Sequence, residues 1–185
     1  MSTCRTLIVV HGRSELIFCK GIARVLRMNA EYDSDNGGGN CIQIRHLEER
    51  FRSDHFRSEL ALHNKFKKLE YLSGKDVKMP NLRIFPIMDL DDSSHMVKQY
   101  KTKNMFNACI FKDRITPIFS DPDLDTVLNR CGFGVSHDDL SSYDELFNEH
   151  ELSDVIKALR GRNDTNLAVF LDYCLSITPS YQNYE

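Results

Sequence analysis

The chain has 185 residues, of which 41% are hydrophobic and 28% are charged. These values are typical of an ordinary soluble globular protein, and the length fits one domain with a small appendage. No run of 18 apolar residues is present, which excludes a transmembrane helix, and the apolar stretch near the N-terminus is too short for a signal peptide. We therefore expect a cytoplasmic protein.

The thiol and imidazole side chains show no metal-binding spacing. Six cysteines are scattered along the chain without a C-x-x-C pair, which favours reduced thiols over disulfides or zinc ligands. The seven histidines also lack a ligand spacing such as H-x-x-x-H. On this pattern we predict no zinc site.

Charge is distributed unevenly along the chain. Residues 1–114 contain 20 Lys and Arg against 14 Asp and Glu, whereas residues 115–185 contain 4 against 13. A basic front part is suited to a nucleic-acid backbone, and acidic C-terminal helices are suited to a basic partner protein. Ordinary surface charge explains the same counts, so both interpretations stay open.

The first strand is predicted at Arg5–Val10, because its residues are β-branched and apolar almost without interruption, as in a central parallel strand. A tight turn at 11–13 leads into a helix that begins near Ser14 and ends near residue 28. Its apolar residues recur at intervals of three and four, as a helix packed on a sheet requires. Glu15 therefore lies in the first turn of this helix, at the carboxyl edge of the predicted sheet.

A polar loop with three consecutive glycines follows at Asp33–Asn40. Its N–H groups are suited to phosphate, but the loop lacks the G-x-G-x-x-G and G-K-[ST] patterns, so a plain mobile turn is the alternative. Cys41–Ile44 is predicted as the second strand. From Arg45 to about Ser73 we predict one long helix, with Arg and Lys residues interleaved with acids on its exposed side. This side is either a solvated surface with ion pairs or a nucleic-acid contact.

An almost wholly apolar run, Leu82–Met88, is followed by the sequence D-L-D-D at 89–92. Such a run is typical of a strand that is buried on both faces. The carboxyl ends of strands border the ligand crevice in an open α/β sheet, and carboxylates suit Mg²⁺ or Mn²⁺. Asp89 and Asp91 are therefore candidate metal ligands. The alternative is an acidic turn that caps the next helix.

A second acidic turn follows a strand predicted at Ile115–Ser120. Its carboxylates either line the same crevice or form a plain Asp-Pro turn; they are Asp121, Asp123 and Asp125. Pro86 and Pro117 each remove a ladder N–H group, so we expect them at strand starts or on an edge strand.

The chain is predicted to be helical from Ser136 onward. Apolar residues form one amphipathic stripe over 152–159 and a second over 167–175. The end, from Thr178 to Glu185, is polar and predicted to fray.

The order of these motifs resembles the Toprim domain, an α/β metal-binding unit of topoisomerases, primases, overcoming-lysogenization-defect nucleases and small ribonucleases. In that family a Glu after the first strand and a D-x-D after a later strand hold Mg²⁺ for strand cleavage, joining or nucleotidyl transfer. Within it, the chain is most similar to the small RloB-like group associated with phage defence. The corresponding stretches are Val10–Glu15, Asp89–Asp92 and Ser120–Pro122, and the likeness spans residues 5 to about 130.

The resemblance implies a Toprim-like domain over residues 1–135 with a mainly parallel central sheet flanked by helices. A C-terminal helical extension over residues 136–185 would pack on it. The implied metal ligands for Mg²⁺ or Mn²⁺ are Glu15, Asp89 and Asp91. The implied function is a metal-dependent nuclease that acts on DNA or RNA in phage defence.

One position departs from the family pattern, because His11 stands where most relatives carry the catalytic Glu. Glu15 then takes over as a ligand, His11 carries a proton, or the site has lost its chemistry. Arg13, at the positive end of the helix, is a candidate clamp for a phosphate oxygen. Without chemistry, the chain would be a Toprim-like binding module that works beside a partner protein. A phosphohydrolase of the haloacid-dehalogenase type fits less well, because its D-x-D follows the first strand.

Overall fold

The computed structural model describes residues 4–72, 74 and 76–178, and it contains a four-stranded sheet in which all strands run parallel. The strand order is β2-β1-β3-β4. The strands are β1 (Thr6–Val10), β2 (Glu31–Asp33), β3 (Arg83–Asp89) and β4 (Ile118–Ser120). This architecture confirms the predicted α/β class with a parallel central sheet. The end of the chain beyond residue 178, predicted to fray, lies outside the described residues.

Eight α-helices flank the sheet in the part of the chain that the structure describes. They are α1 (Arg13–Leu26), α2 (Ile44–Arg52), α3 (Glu59–Lys65), α4 (Ser94–Lys101), α5 (Leu124–Arg130), α6 (Ser141–Glu149), α7 (Leu152–Leu159) and α8 (Leu167–Ser176). None of these helices is long and apolar enough to cross a membrane. The chain passes from β1 to β2 in one direction and from β3 to β4 in the other, so the strand order reverses between β1 and β3. In open parallel sheets this reversal is where ligands bind.

Successive residues of β1 face opposite sides of the sheet and build two separate cores. Ile8 and Val10 pack on the side covered by α1 and α5–α8. Leu7 and Val9 pack on the side covered by α2, α3 and α4. All four side chains are fully buried, and each such burial stabilises the fold by about 1.5–3 kcal/mol. A strand buried on both faces explains why β1 is continuously apolar in sequence.

The C-terminal helices contribute directly to the first of these cores. Tyr143 and Phe147 of α6 and Phe170 of α8 are buried there together with residues of α1. The Phe147 ring lies 5.5 Å from that of Phe18, and the Phe170 ring lies 5.2 Å from that of Phe85 on β3. The predicted C-terminal helices are therefore confirmed, whereas the predicted domain boundary after residue 135 stays a prediction.

The second strand was predicted in the wrong place. Glu31–Asp33 pairs with Leu7–Val9, whereas the apolar segment Cys41–Ile44 forms no strand. In the described part of the chain, one backbone hydrogen bond connects this segment to the end of β1, the N–H of Ile42 donating to the oxygen of His11 at 2.7 Å. Ile42 and Ile44 are apolar because they fill the second core and not because they belong to the sheet.

The long helix predicted from Arg45 is also wrong. The helical pattern is broken into α2, a 3₁₀ turn at Asp54–Phe56 and α3, because Ser53 is extended and the turn buries Phe56. Ser58 then caps α3 by accepting the N–H of Ala61 at 3.0 Å. Beyond α3 the described chain forms bends and isolated bridges up to β3.

Pro86 lies inside the central strand β3, which corrects the prediction that it marks a strand start or an edge. The backbone oxygen of Ile84 accepts the N–H of Thr116, just before β4. Backbone groups two residues apart on a strand point to the same side, so the backbone of Pro86, which lacks an N–H group, also faces β4. The β3–β4 ladder begins only at Ile87 and Ile118. The buried hydroxyl of Tyr100 lies 2.7 Å from the oxygens of both Pro86 and Ile118, and it fills this gap in the ladder.

Candidate functional site

A cavity of about 620 Å³ opens at the carboxyl edge of the sheet, where the strand order reverses. We call it the edge cavity. Its walls come from the segments that follow β1, β3 and β4, together with the glycine loop after β2. Its polar lining comprises His11, Arg13, Ser14, Glu15, Cys41, Asp89, Asp123, Asp125, Thr126 and His137.

Glu15 is buried in the wall of the edge cavity, with 2% of its surface exposed. Its Oε2 accepts the N–H of Gly12 at 2.8 Å, which caps the start of α1. Burial raises the pKa of Glu15, and the charge of Asp125 adds to this effect, whereas nearby N–H groups and His11 oppose it. A buried carboxylate that also caps a helix is held in one orientation.

Asp89, the last residue of β3, lines the same cavity. Its Oδ1 accepts the N–H of Leu124 at 3.1 Å and so connects β3 to the start of α5. Burial and, to a smaller extent, the charges of Glu15 and Asp123 together raise the pKa of Asp89 to about 9. Asp89 therefore holds a proton at neutral pH unless a cation replaces it.

The two remaining acids of the D-L-D-D sequence lie outside the edge cavity. Asp91 is exposed and does not line it, although its charge contributes to the raised pKa of Asp89. Asp92 accepts the N–H of Arg45 at 3.0 Å and of Ser93 at 2.8 Å, so it stabilises a turn. The chain turns here because the N–H of Leu90 bonds to the loop after β4. Of the predicted metal ligands, the structure brings Glu15 and Asp89 together and leaves Asp91 outside.

His11 follows β1 directly and is 7% exposed. Its backbone is fixed by hydrogen bonds to Ile87 and Ile42 at 2.9 and 2.7 Å. Its Nδ1 atom is buried without a hydrogen-bond partner among the described residues. An unsatisfied buried polar atom costs about 1–3 kcal/mol, so it is expected where a ligand completes the site.

Arg13 begins α1 at the rim of the edge cavity, and its side chain is exposed. The glycine loop packs against it, because a Cβ on Gly38 would lie 3.0 Å from the Cα of Arg13. The N–H groups of Gly38 and Gly39 bond to oxygens of the loop itself, each at 3.0 Å. These two groups are therefore used inside the turn and do not form a phosphate cradle.

The acidic turn after β4 adds two carboxylates to the cavity. Asp123 caps α5 by accepting the N–H of Thr126 at 2.7 Å. Asp125 accepts hydrogen bonds from the Tyr143 hydroxyl and from the N–H of His137, whose ring Nδ1 lies 3.2 Å away. The sequence predicted that Asp121, Asp123 and Asp125 either line the crevice or form a plain turn. The structure places Asp123 and Asp125 in the lining of the cavity, whereas Asp121 is exposed and does not line it.

Cys41 also lines the cavity, which no spacing in the sequence indicated. It is the only cysteine of the six that is exposed. Burial raises the pKa of its thiol, and the charges of Glu15, Asp89 and Asp91 add to this effect. As the side chains stand, no three His, Cys, Asp or Glu residues in the described ranges converge closely enough to hold a metal ion.

Three arginines of the cationic surface predicted after Arg45 form ion pairs with acids. Arg52 pairs with Glu48 at 2.6 Å, and Arg57 pairs with Asp54 at 3.3 Å. Arg50 pairs with Asp33, the last residue of β2, and with Asp35 just beyond it. These contacts favour the solvated surface with ion pairs over a nucleic-acid contact on these helices.

No family model and no curated protein matches this chain. The buried Glu15 and the half-buried Asp89 supply two carboxylates to the cavity, and Mg²⁺ usually takes one or two protein carboxylates, with water and substrate oxygens completing its shell. The unpaired Nδ1 of His11 offers a further ligand atom. Carboxylate oxygens and an imidazole nitrogen are donor types that bind divalent cations.

Proposed function

We propose that the edge cavity binds a divalent cation together with a phosphate group, and that the protein hydrolyses phosphodiester bonds in DNA or RNA. The proposal depends on one observation: Glu15 and Asp89, far apart in sequence, share a cavity at the reversal of strand order. Among the described residues, no Lys or Arg forms an ion pair with a carboxylate of this cavity. Bound protons or an external cation therefore neutralise these groups.

Each residue then has a separate part in the reaction. Glu15 and Asp89 hold the cation, which when bound neutralises phosphate charge and lowers the pKa of water. Arg13, exposed at the rim, binds a phosphate oxygen. Asp123 accepts the proton of the attacking water, because it lines the cavity and only one of its oxygens is bonded within the described chain. Asp125 is a positioning residue, since Tyr143 and His137 occupy its oxygens.

The test is cleavage of supercoiled plasmid DNA and of single-stranded RNA by the purified protein in Mg²⁺ or Mn²⁺. We expect Glu15→Gln and Asp89→Asn to reduce cleavage by about 100-fold, as loss of a metal ligand does. Asp92→Asn is the matched control, because Asp92 lies outside the cavity and should leave cleavage nearly unchanged. Full activity in Asp89→Asn would overturn the proposal.

A second candidate function is a non-catalytic binding module, and one observation favours it. No three ligand side chains converge among the described residues, and His11 replaces the Glu that the resemblance leads one to expect. Such a module would bind a cation or a phosphate group without turning over. Binding of Mn²⁺ without cleavage of either nucleic acid would select this alternative over the nuclease.

The role in phage defence follows from the Toprim resemblance alone. We propose it on that basis, and it can be tested apart from the chemistry. Cells that express the chain should reduce phage plating efficiency, and cells that express Asp89→Asn should not. Equal plating with both chains would remove this role and leave the proposed hydrolysis to be judged by the cleavage assay.

A further inference from the structure

The lining of the edge cavity includes an exposed histidine whose ring is oriented by a carboxylate. His137 lines the cavity, and 74% of its side chain is exposed. Its ring Nδ1 lies 3.2 Å from Oδ2 of Asp125, a residue in the first turn of α5. The Asp125 side chain is 17% exposed, and its other oxygen accepts the hydroxyl of the buried Tyr143. The carboxylate that orients the imidazole is therefore itself held in place.

The turn that carries His137 is held by bonds that do not involve the imidazole. The backbone N–H of His137 donates to the carboxylate of Asp125. The N–H of Ser136 donates to Oγ of Ser142 at 3.0 Å, and the N–H of Asp139 donates to the oxygen of Ser136 at 3.1 Å. These bonds should persist when the ring is removed. The ring is thus oriented by a neighbour without being needed for the shape of the turn, which is the arrangement of a catalytic imidazole.

The second ring nitrogen of His137 contacts one exposed acid among the described residues. Nε2 lies 3.3 Å from Oδ1 of Asp138, whose side chain is 87% exposed. An ion pair between two exposed groups contributes little to stability, so a bound substrate can replace it. A protonated imidazole carries N–H groups on both nitrogens, and histidine exchanges protons near neutral pH. With Nδ1–H bound by Asp125, the proton on Nε2 is available to an oxygen atom in the cavity.

Hydrolysis of a phosphodiester bond requires a proton donor as well as a proton acceptor. Water attacks phosphorus, Asp123 accepts the proton of this water, and the leaving oxygen departs as an alkoxide unless it is protonated. Glu15 and Asp89 give up their protons when they hold a cation, so they do not supply this proton. His11, the other imidazole of the lining, is 7% exposed and therefore less accessible to a leaving strand. The exposed imidazole of His137 remains.

We propose that His137 is the general acid of the edge cavity, and that its Nε2–H protonates the oxygen of the leaving strand as the phosphorus–oxygen bond breaks. This proton ends on the leaving hydroxyl, the proton of the attacking water ends on Asp123, and exchange with solvent restores both side chains. Asp125 is the positioning residue that orients the ring. The inference rests on the proposed function and adds the proton donor that this reaction requires.

The test compares two scissile linkages that differ in their need for a proton. One oligonucleotide has an ordinary phosphodiester, and the other has sulfur in place of the leaving oxygen, whose position follows from the product ends made by the wild-type chain. A thiolate leaves without being protonated. In Mn²⁺, we expect His137→Ala to cleave the oxygen linkage about 100-fold more slowly than the wild-type chain, and the sulfur linkage within about threefold of the wild-type rate.

Two further variants accompany His137→Ala. His95→Ala is the matched control and should cleave both linkages as the wild-type chain does, because His95 is an exposed histidine of α4 that contacts Gln99 and does not line the cavity. Asp125→Asn should slow cleavage of the oxygen linkage by roughly tenfold. It should have no further effect in a chain that already carries His137→Ala, because Asp125 acts through the ring.

Far-ultraviolet circular dichroism checks the folding of each variant. If Asp125→Asn does not fold, His137→Ala decides the question alone, because its backbone N–H still bonds to Asp125. Equal losses on both linkages in His137→Ala would overturn the proposed acid, since a structural or binding role does not depend on the leaving atom. Unchanged cleavage of the oxygen linkage would overturn it as well.

Failure of the acid and failure of the nuclease give different results. A wild-type chain that cleaves nucleic acid, an inactive Asp89→Asn and a fully active His137→Ala would reject the role of His137 and support the proposed nuclease. A wild-type chain that cleaves neither linkage would reject the nuclease, and the role of His137 with it.

Discussion

Two groups of carboxylates lie at the carboxyl edge of the sheet, and they differ in whether a basic side chain pairs with them. At the end of β2, Arg50 donates to both oxygens of Asp33 at 2.7 Å and to Asp35 at 2.8 Å. At the ends of β1 and β3, Glu15 and Asp89 share a cavity without an Arg or Lys partner among the described residues. The first group contains its own cation, and the second does not.

This difference distinguishes the first group, which has a structural role, from the second, which is a candidate functional site. The two bonds from Arg50 to Asp33 form a bidentate pair, which fixes α2 to the end of β2 and raises the pKa of Arg50. In the edge cavity, burial and mutual repulsion raise the pKa of Asp89 instead. Acids at the edge of a sheet therefore indicate a candidate functional site only where the chain itself supplies no counterion for them.

The largest expected effect comes from replacing Arg50, the basic residue that pairs with Asp33 and Asp35. Arg50→Met leaves Asp33, which is 7% exposed, without its partner, so we expect a loss of about 3 kcal/mol in the free energy of unfolding. Urea denaturation measures this loss. Arg50→Lys keeps the charge but not the bidentate geometry, so it should lose less. A loss below about 1 kcal/mol in Arg50→Met would show that Arg50 does not stabilise the first group of carboxylates.

Removing a carboxylate from the edge cavity should instead increase the free energy of unfolding. With a pKa of about 9, Asp89 keeps a proton in the folded state that the unfolded chain releases near pH 4, so stability falls as pH rises between these values. Asp89→Asn removes this dependence and should stabilise the metal-free protein by about 2 kcal/mol at pH 8. Urea denaturation from pH 5 to pH 9 measures it. Asp92→Asn should retain the wild-type slope, and the same slope in Asp89→Asn would contradict the assignment.

Cation binding should depend on pH for the same reason. A cation must displace the proton of Asp89, so each proton displaced makes the affinity rise about tenfold per pH unit at pH values below the pKa. Calorimetry with Mn²⁺ in two buffers of different ionisation enthalpy counts the protons released. Asp89→Asn should release about one proton fewer than the wild-type chain. An equal proton count would show that Asp89 does not contact the cation.

The smallest expected effect concerns the glycine loop, which lies between the two groups of carboxylates. Gly38 has a φ of 86°, and a Cβ there would lie 3.0 Å from the Cα of Arg13. Gly38→Ala should therefore cost about 1 kcal/mol of stability and weaken cation binding, because it displaces the start of α1. Gly37→Ala is the matched control, since Gly37 has a φ of 62° but no atom within 4 Å of its Cβ position. Equal losses of cation affinity in both variants would mean that close packing on Arg13 does not matter.

The strands β1 and β3 and the helix α1 were predictable because their signals are local. A continuous apolar run indicates a strand buried on both faces, and apolar residues at intervals of three and four indicate a helix on a sheet. The placement of Glu15 at the carboxyl edge follows from the strand that precedes it. The break between α2 and α3 was not predictable in this way, because apolar periodicity continues across Ser53 although the backbone there is extended.

The sequence by itself determined the parallel α/β class, the position of Glu15 after β1 and the position of Asp89 at the end of β3. The tertiary structure alone decided that Asp89, and not Asp91, lines the cavity, and that Arg50 pairs with the acids at the end of β2. It also decided that His11 and Cys41 line the same cavity. The physical reason is that burial pattern is encoded along the chain, whereas strand order and the turns after each strand determine which distant side chains meet.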